Sequence, residues 1–295
     1  VKVAIVLLFI GFGWQFIKPE NHTPYMIPEG TIGHEGFFKW GWGGVLGGAA
    51  IVFFAFIGFD AVSTAAQETK NPKTAMPIGI LGSLAVCTVL YILFAHVLTG
   101  LAPLEFFRDP NKGGEASVVA AIKEGMPATY SWLSKSVTVA ILAGFSSVIL
   151  VMLLGQSRVF YTMSKDGLLP PFFSEIHAKF RTPWKTNLFF LIFVSLFAGL
   201  VPVSDLGHMV SIGTLLAFVL VCVGVMVMRK KMPDAPRAFR TPWVPFVPIA
   251  GIVICFALMY SLPNESWARL VIWMALGILV YFIYGKKNSK LNNPG

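Results

Sequence analysis

Eight apolar runs, at about residues 1–17, 44–66, 78–100, 136–157, 186–204, 206–228, 244–262 and 267–285, dominate the sequence. A run of ~18 or more nearly uncharged residues is long enough to cross the ~30 Å hydrocarbon layer of a bilayer. No water is present there to satisfy peptide groups, so only helices and closed barrels span it. Runs of this length without two-residue alternation select helices. The 56% apolar share and the mean hydropathy of +0.72 exceed the ~45–50% apolar content of soluble domains. The expected fold class is an all-α polytopic membrane protein with about eight transmembrane helices.

The same composition excludes other classes. Aromatic residues at 14% oppose disorder. The three cysteines, Cys87, Cys222 and Cys255, each lie inside an apolar run and read as small core residues, not as a disulfide or metal framework. The net charge of +9 comes from lysines and arginines at the ends of apolar runs, not from a basic stripe, so no nucleic-acid partner is expected.

Those charges alternate in sign from one connection to the next. The gaps after the first, third, fifth and seventh runs hold 7 basic and 9 acidic residues, whereas the intervening gaps and the tail hold 15 basic and 4 acidic. Basic connections stay in the cytoplasm, which places both ends of the chain there. Arg229-Lys230-Lys231 and Lys286-Lys287 are then read as topology determinants that touch anionic lipid headgroups, at ~1 kcal/mol or less each.

Two charges remain, Lys2 and Asp60, and both fall inside apolar runs. A charge at membrane depth faces a cavity or a partner and is a functional-site candidate by default. Lys2 precedes Lys18 by 16 residues, roughly 24 Å of helix, which puts it in the inner half of its span; a snorkelling lysine at a helix end is the competing reading. Asp60 is too short to snorkel and sits beside Gly58 in mid-span. It either hydrogen-bonds a structural partner or marks a broken helix lining a ligand cavity. Gly44, Gly47 and Gly48 have the small-residue spacing of close helix packing. Ser146 and Ser147 fit either back-bonding to their own helix or ion and proton coupling.

The stretch FFAFIGFDAVSTAAQETKNPKTAMP at 53–77, GQSRVFYTMSKDGLLP at 155–170 followed by RTP at 181–183, and MVSIGTLLAF at 209–218 leading to PRAFRTPWVPFVPI at 236–249 together resemble permeases of the amino acid, polyamine and organocation (APC) superfamily. The likeness is to its cationic amino acid transporter branch. It implies a LeuT-like fold of two inverted five-helix repeats plus two extra helices, of which this chain matches helices five to twelve. The first four helices would be missing, and the chain would be the C-terminal part of a transporter. On this reading residues 1–17 are the end of the fifth helix and 18–43 an extracellular loop. Residues 44–228 are then the second repeat, 229–285 two additional helices and 286–295 a basic cytoplasmic tail.

The resemblance also implies roles. Phe54 becomes an aromatic gate over the substrate. Ala55, Phe56 and Ile57 become an unwound segment that accepts the substrate ammonium, with Gly58 and Asp60 beside it. Lys2 matches a lysine that stands where sodium binds in sodium-coupled members, and would act as a proton carrier with Ser146 and Ser147 as partners. The expected function is secondary transport of cationic or small neutral amino acids across the plasma membrane, coupled to protons, with no cofactor. The alternatives are a non-transporting amino-acid sensor and a polytopic membrane enzyme. Against the enzyme, no paired-carboxylate motif, His/Asp cluster or metal-ligand spacing appears among His22, His34, His96, His177 and His208.

The charge alternation gives a direct test. Cysteines introduced at 70–73, 165–181 or 230–240 are expected to react only with reagents on the cytoplasmic side, and those at 20–40 or 105–125 only from outside. Labelling of both groups from one side rejects the orientation.

Overall fold

The computed structural model describes residues 2–31, 36–59, 63, 69–109, 117–237 and 239–290. Among them every regular element is helical: α1 (Lys2–Gly13), α2 (Gly41–Val52), α3 (Pro72–Leu101), α4 (Leu104–Arg108), α5 (Ser117–Gly125), α6 (Ser131–Lys165), α7 (Trp184–Leu200), α8 (Val203–Lys231), α9 (Phe246–Tyr260), α10 (Asn264–Val280) and α11 (Lys286–Asn288). Four helical stretches, Pro72–Leu101, Ala128–Lys165, Asp205–Lys231 and Asn264–Asn288, are long and apolar enough to cross a membrane. Four shorter apolar ones, Lys2–Phe16, Gly41–Phe56, Trp184–Leu200 and Phe246–Tyr260, accompany them. These match the eight runs one for one.

Prolines set where the helices begin. Pro72 is the first residue of α3, and Pro103, Pro183, Pro202, Pro245 and Pro263 stand immediately before α4, α7, α8, α9 and α10. A helix start has no intrahelical use for its first N–H groups, so the residue that lacks one is tolerated there. The sides of the long helices are apolar all round. Ile78, Leu81, Val86, Val89 and Ile92 of α3, and Leu142, Phe145, Ile149 and Leu150 of α6, are exposed. The most apolar 18-residue window of α3 has 0% of its residues buried by the rest of the chain. Such a surface is stable in lipid and not in water.

The chain forms two compact units, one of residues 1–34 and 81–151, the other of 35–80 and 152–295. In the first, Phe9 of α1, Val97 and Leu101 of α3, Ala121 and Ile122 of α5, Met126, and Leu133 and Val137 of α6 make one buried cluster. The segment Ser117–Gly125 is helical and docks Ala121 and Ile122 into that cluster. The segment after α1 closes over the end of α3: Lys18 N–H and Asn21 Nδ2 both donate to Gly100 O, at 3.0 and 2.8 Å. His22 stacks on His96 at 4.5 Å between ring centroids.

In the second unit Ala50, Ile212, Leu215, Met259 and Leu262 form the core, and Trp267 Nε1 donates to Met259 O at 3.0 Å. Arg269 reaches Asp205 Oδ2 at 3.1 Å and Glu265 at 3.9 Å. The charges that separate the last two pairs of runs therefore pair with one another, one guanidinium against two carboxylates. The C-terminal end returns to the turn after α6, where Lys290 N–H donates to Asp166 O at 3.1 Å and Ser289 is buried.

Two local expectations change. Gly44 and Gly47 do face a close neighbour, but it is the turn at Phe37–Lys39 and not another helix: a Cβ on Gly47 would stand 2.5 Å from Phe38 O, and Gly48 faces open space. The run at 44–66 is not one helix, since α2 ends at Val52 and tightens into a 3₁₀ turn over Phe53–Phe56.

Close approach makes a stability prediction. A Cβ on Gly125 would lie 2.5 Å from Leu101 O, whereas one on Gly11 meets nothing within 4 Å. Gly125→Ala is expected to destabilise the chain by about 1–3 kcal/mol through overpacking. Gly11→Ala should be neutral or slightly stabilising, since alanine favours helix. Thermal unfolding of the detergent-solubilised variants reads both.

Candidate functional site

The candidate site begins where α2 stops being a helix. After the 3₁₀ turn, Ile57 adopts extended geometry (φ −64°, ψ 132°) and its N–H donates to Phe54 O at 3.2 Å. Gly58 follows at φ +121°. An extended residue and then a left-handed glycine cannot continue the i to i−4 bonding of a helix. The left-handed region is open to glycine at little cost, and a side chain at 58 would also meet Met152 Cε at 2.8 Å. Phe54 stands half exposed at the turn.

Aromatic packing supports both sides of this break. Phe53 meets Phe218 of α8 edge-on at 5.9 Å, and Phe59 meets the same ring at 5.5 Å. Phe218 lies in the 209–218 motif, but the sequence offered no signal for its contact with 53 and 59. A second unanticipated feature of this unit is Ser211, 1% exposed, whose hydroxyl has no hydrogen-bond partner among the described residues. Of the expected site residues, Phe54, Ala55, Phe56, Ile57 and Gly58 are consecutive in the break. Asp60 lies outside the described residues.

The expected proton-coupling residues belong to the other unit. The methylenes of Lys2 run over Gly144 of α6, with Cε 3.5 Å from where a Cβ would be. Ser147 Oγ donates to the carbonyl of that same Gly144 at 2.9 Å, and Ser146 Oγ donates to Leu142 O at 3.0 Å. Lys2 is thus brought to the turn that carries both serines, yet both hydroxyls bond back to their own helix. The Lys2 ammonium makes no hydrogen bond or ion pair among the described residues. Among the described residues no group of three His, Cys, Asp or Glu side chains is placed to hold a metal.

Among the described residues the chain is all-helical and apolar-sided, with a helix broken in an apolar stretch, which is the architecture of a multi-pass membrane protein. The amino acid permease family matches residues 1–283, and the chain belongs to that family. It is 42% identical over 292 residues to the branched-chain amino acid permease BcaP of Bacillus subtilis (strain 168), covering 99% of this chain and 59% of that protein. A methylthioribose transporter from the same organism is also 42% identical with the same coverage. The vacuolar cationic amino acid transporter 4 of Arabidopsis thaliana is 37% identical, over 99% of this chain and 66% of that protein. The chain therefore spans about three fifths of the length of the first two. These relatives are named as permeases and transporters.

The geometry at Gly58 separates two sources of strain. Gly58→Ala is expected to destabilise by about 1–2 kcal/mol from its left-handed backbone alone, with a further loss from the Met152 contact. Adding Met152→Ala should recover only that further part. A double-mutant cycle on thermal stability measures the two shares.

Proposed function

We propose that this chain is the substrate-site-bearing C-terminal part of a secondary amino-acid transporter, with the substrate held at the break in residues 54–58. The observation that carries the reading is the departure from helix at Ile57–Gly58 within an apolar stretch. A broken helix in a membrane turns backbone groups and helix ends toward a polar ligand, and irregular backbone is tolerated at depth only where it lines a cavity or is buried in protein. Phe54 covers the substrate, the segment Ala55–Ile57 receives its ammonium, and Asp60 contributes a charge beside Gly58. Helices supplied by the remaining part of the transporter complete the site and hold the carboxylate. In this scheme 44–228 is the second repeat and 229–285 are two additional helices.

Two relatives at the same identity are named for chemically different cargo, so overall identity does not select the substrate. The surroundings of the break, Phe53, Phe54, Phe59, Met152 and Phe218, favour an aliphatic side chain. Small neutral and branched-chain amino acids come first among candidates, and cationic ones second. Coupling is to protons through Lys2, whose methylenes lie over Gly144 of α6, next to the turn that carries Ser146 and Ser147. The coupling works only if the two transport states present it with different surroundings. The transporter resides in the plasma membrane with both ends in the cytoplasm, its basic segments against anionic headgroups.

The test is uptake of radiolabelled amino acids into proteoliposomes by the transporter with its N-terminal helices restored, compared with binding alone. Phe54→Ala is expected to weaken substrate binding about fivefold or more, as loss of a half-exposed aromatic contact of ~1–3 kcal/mol requires. Lys2→Ala should abolish accumulation driven by a pH gradient and leave binding largely intact. Wild-type affinity in Phe54→Ala rejects the site, undiminished accumulation in Lys2→Ala rejects the proton carrier, and binding without uptake by the wild type identifies a sensor.

A further inference from the structure

The connector between α8 and α9, residues 232–245, holds five basic residues together with the end of α8, and two of them are not free. Arg237 donates through Nη1 to Pro233 O and Ala235 O and through Nη2 to Met228 O and Met232 O. Arg229 Nη2 donates to Thr241 O at 3.0 Å. One guanidinium thus satisfies carbonyls at the C-terminal end of α8, where a cation is favoured by the helix dipole. The other ties residue 241 back to the last turn of the same helix. Arg237 and Thr241 are thus both held against the end of α8, and Arg240 immediately precedes Thr241 in the chain.

The side chains of Lys230, Lys231 and Arg240 are exposed and make no hydrogen bond or ion pair among the described residues. Next in the chain come exposed aromatics, Phe239 at 52%, Trp243 at 79% and Phe246 at 67%. Trp243 is held at φ +48° and its carbonyl accepts from Val247 N–H at 3.1 Å as α9 begins. The helix that follows has 15 residues, about 22 Å of rise against the ~30 Å hydrocarbon layer. A short span draws its flanking residues into the interface, where tryptophan is enriched.

We propose that Lys230, Lys231, Arg240 and Trp243 form a headgroup site for an anionic phospholipid, with Arg229 and Arg237 serving to fold the connector that presents it. The lysines and Arg240 meet the phosphate, and the indole lies at the level of the glycerol backbone beside it. The single acid of the connector, Asp234, is exposed and leaves the patch net positive. The site depends only on α8 and α9 lying in a bilayer, so failure of the transport reading leaves it untouched.

The test uses the 295-residue chain in phosphatidylcholine vesicles containing phosphatidylglycerol, with bromine on the acyl chains of one lipid or the other. Bromine quenches a neighbouring indole, and the difference between wild type and Trp243→Phe isolates the share of Trp243. Half-maximal quenching of that share is expected at about fivefold lower mole fraction of brominated phosphatidylglycerol than of brominated phosphatidylcholine, the effect of about one basic residue's attraction to an anionic surface or more. K230Q/K231Q/R240Q should bring the two lipids level while both still quench Trp243, and high salt should do the same to the unmodified protein. Equal quenching by the two lipids in wild type overturns the site, as does a phosphatidylglycerol preference that survives the triple change. Loss of the preference on adding soluble glycerol phosphate at matched ionic strength also overturns it, because the site is then one for free phosphate.

Discussion

The polar backbone must be satisfied without water, and every other feature of this chain is arranged around that requirement. Within the apolar runs a helix is the economical answer, because each N–H and C=O is consumed by the same segment. The cost is concentrated at the ends, where the first N–H groups and last C=O groups lack partners. Prolines before α4, α7, α8, α9 and α10 remove a donor at or near the point where it would go unused. At the other end of α8 the guanidinium of Arg237 supplies donors to carbonyls that would otherwise face the interface bare.

Against that rule the segment from Phe53 to Gly58 stands out. Leaving helical geometry inside an apolar stretch exposes peptide groups that no lipid can satisfy, so a break of this kind persists only where neighbouring protein or a polar cavity receives it. The packing around it is aromatic and sulfur-bearing, contributed by α8 and by Met152, and Gly58 supplies a backbone angle that other residues reach only with strain. The chain belongs to the amino acid permease family, and the substrate site proposed above lies at this irregularity.

Much of the architecture is legible in the sequence because the membrane imposes so coarse a filter. Run length and charge identify the eight apolar helices, and the prolines mark most of their starts. What is not legible follows from the same coarseness. The stretch 44–66 is apolar apart from its last third, so its hydropathy carries no trace of the ending at Val52; Gly58 and Asp60 together and the resemblance at 53–77 were what pointed to a break. Phe218 is one of 26 phenylalanines, and nothing in its neighbourhood distinguishes a ring that packs on 53 and 59 from one that faces lipid. Likewise a count of basic residues treats Arg229, Lys230, Lys231, Arg237 and Arg240 alike, although two are spent on carbonyls and three are not. The small-residue spacing at 44–48 correctly signalled close approach but not its partner, because a turn and a helix leave the same mark on a glycine. Lys2 and Ser147 converge on Gly144, a meeting set by the packing of two helices far apart in the chain.

The single ring of Phe218 touches one aromatic on each side of the break. A pair of such contacts is worth about 0.5–1.5 kcal/mol apiece beyond simple burial, so displacing either side alone unseats one contact while the other resists. The broken segment is thereby stapled to α8 at two points and behaves as a bracket, not as a loose joint. Motion that opens or closes this region then travels with α8 as one body, or it must first slide both phenylalanines off a shared face.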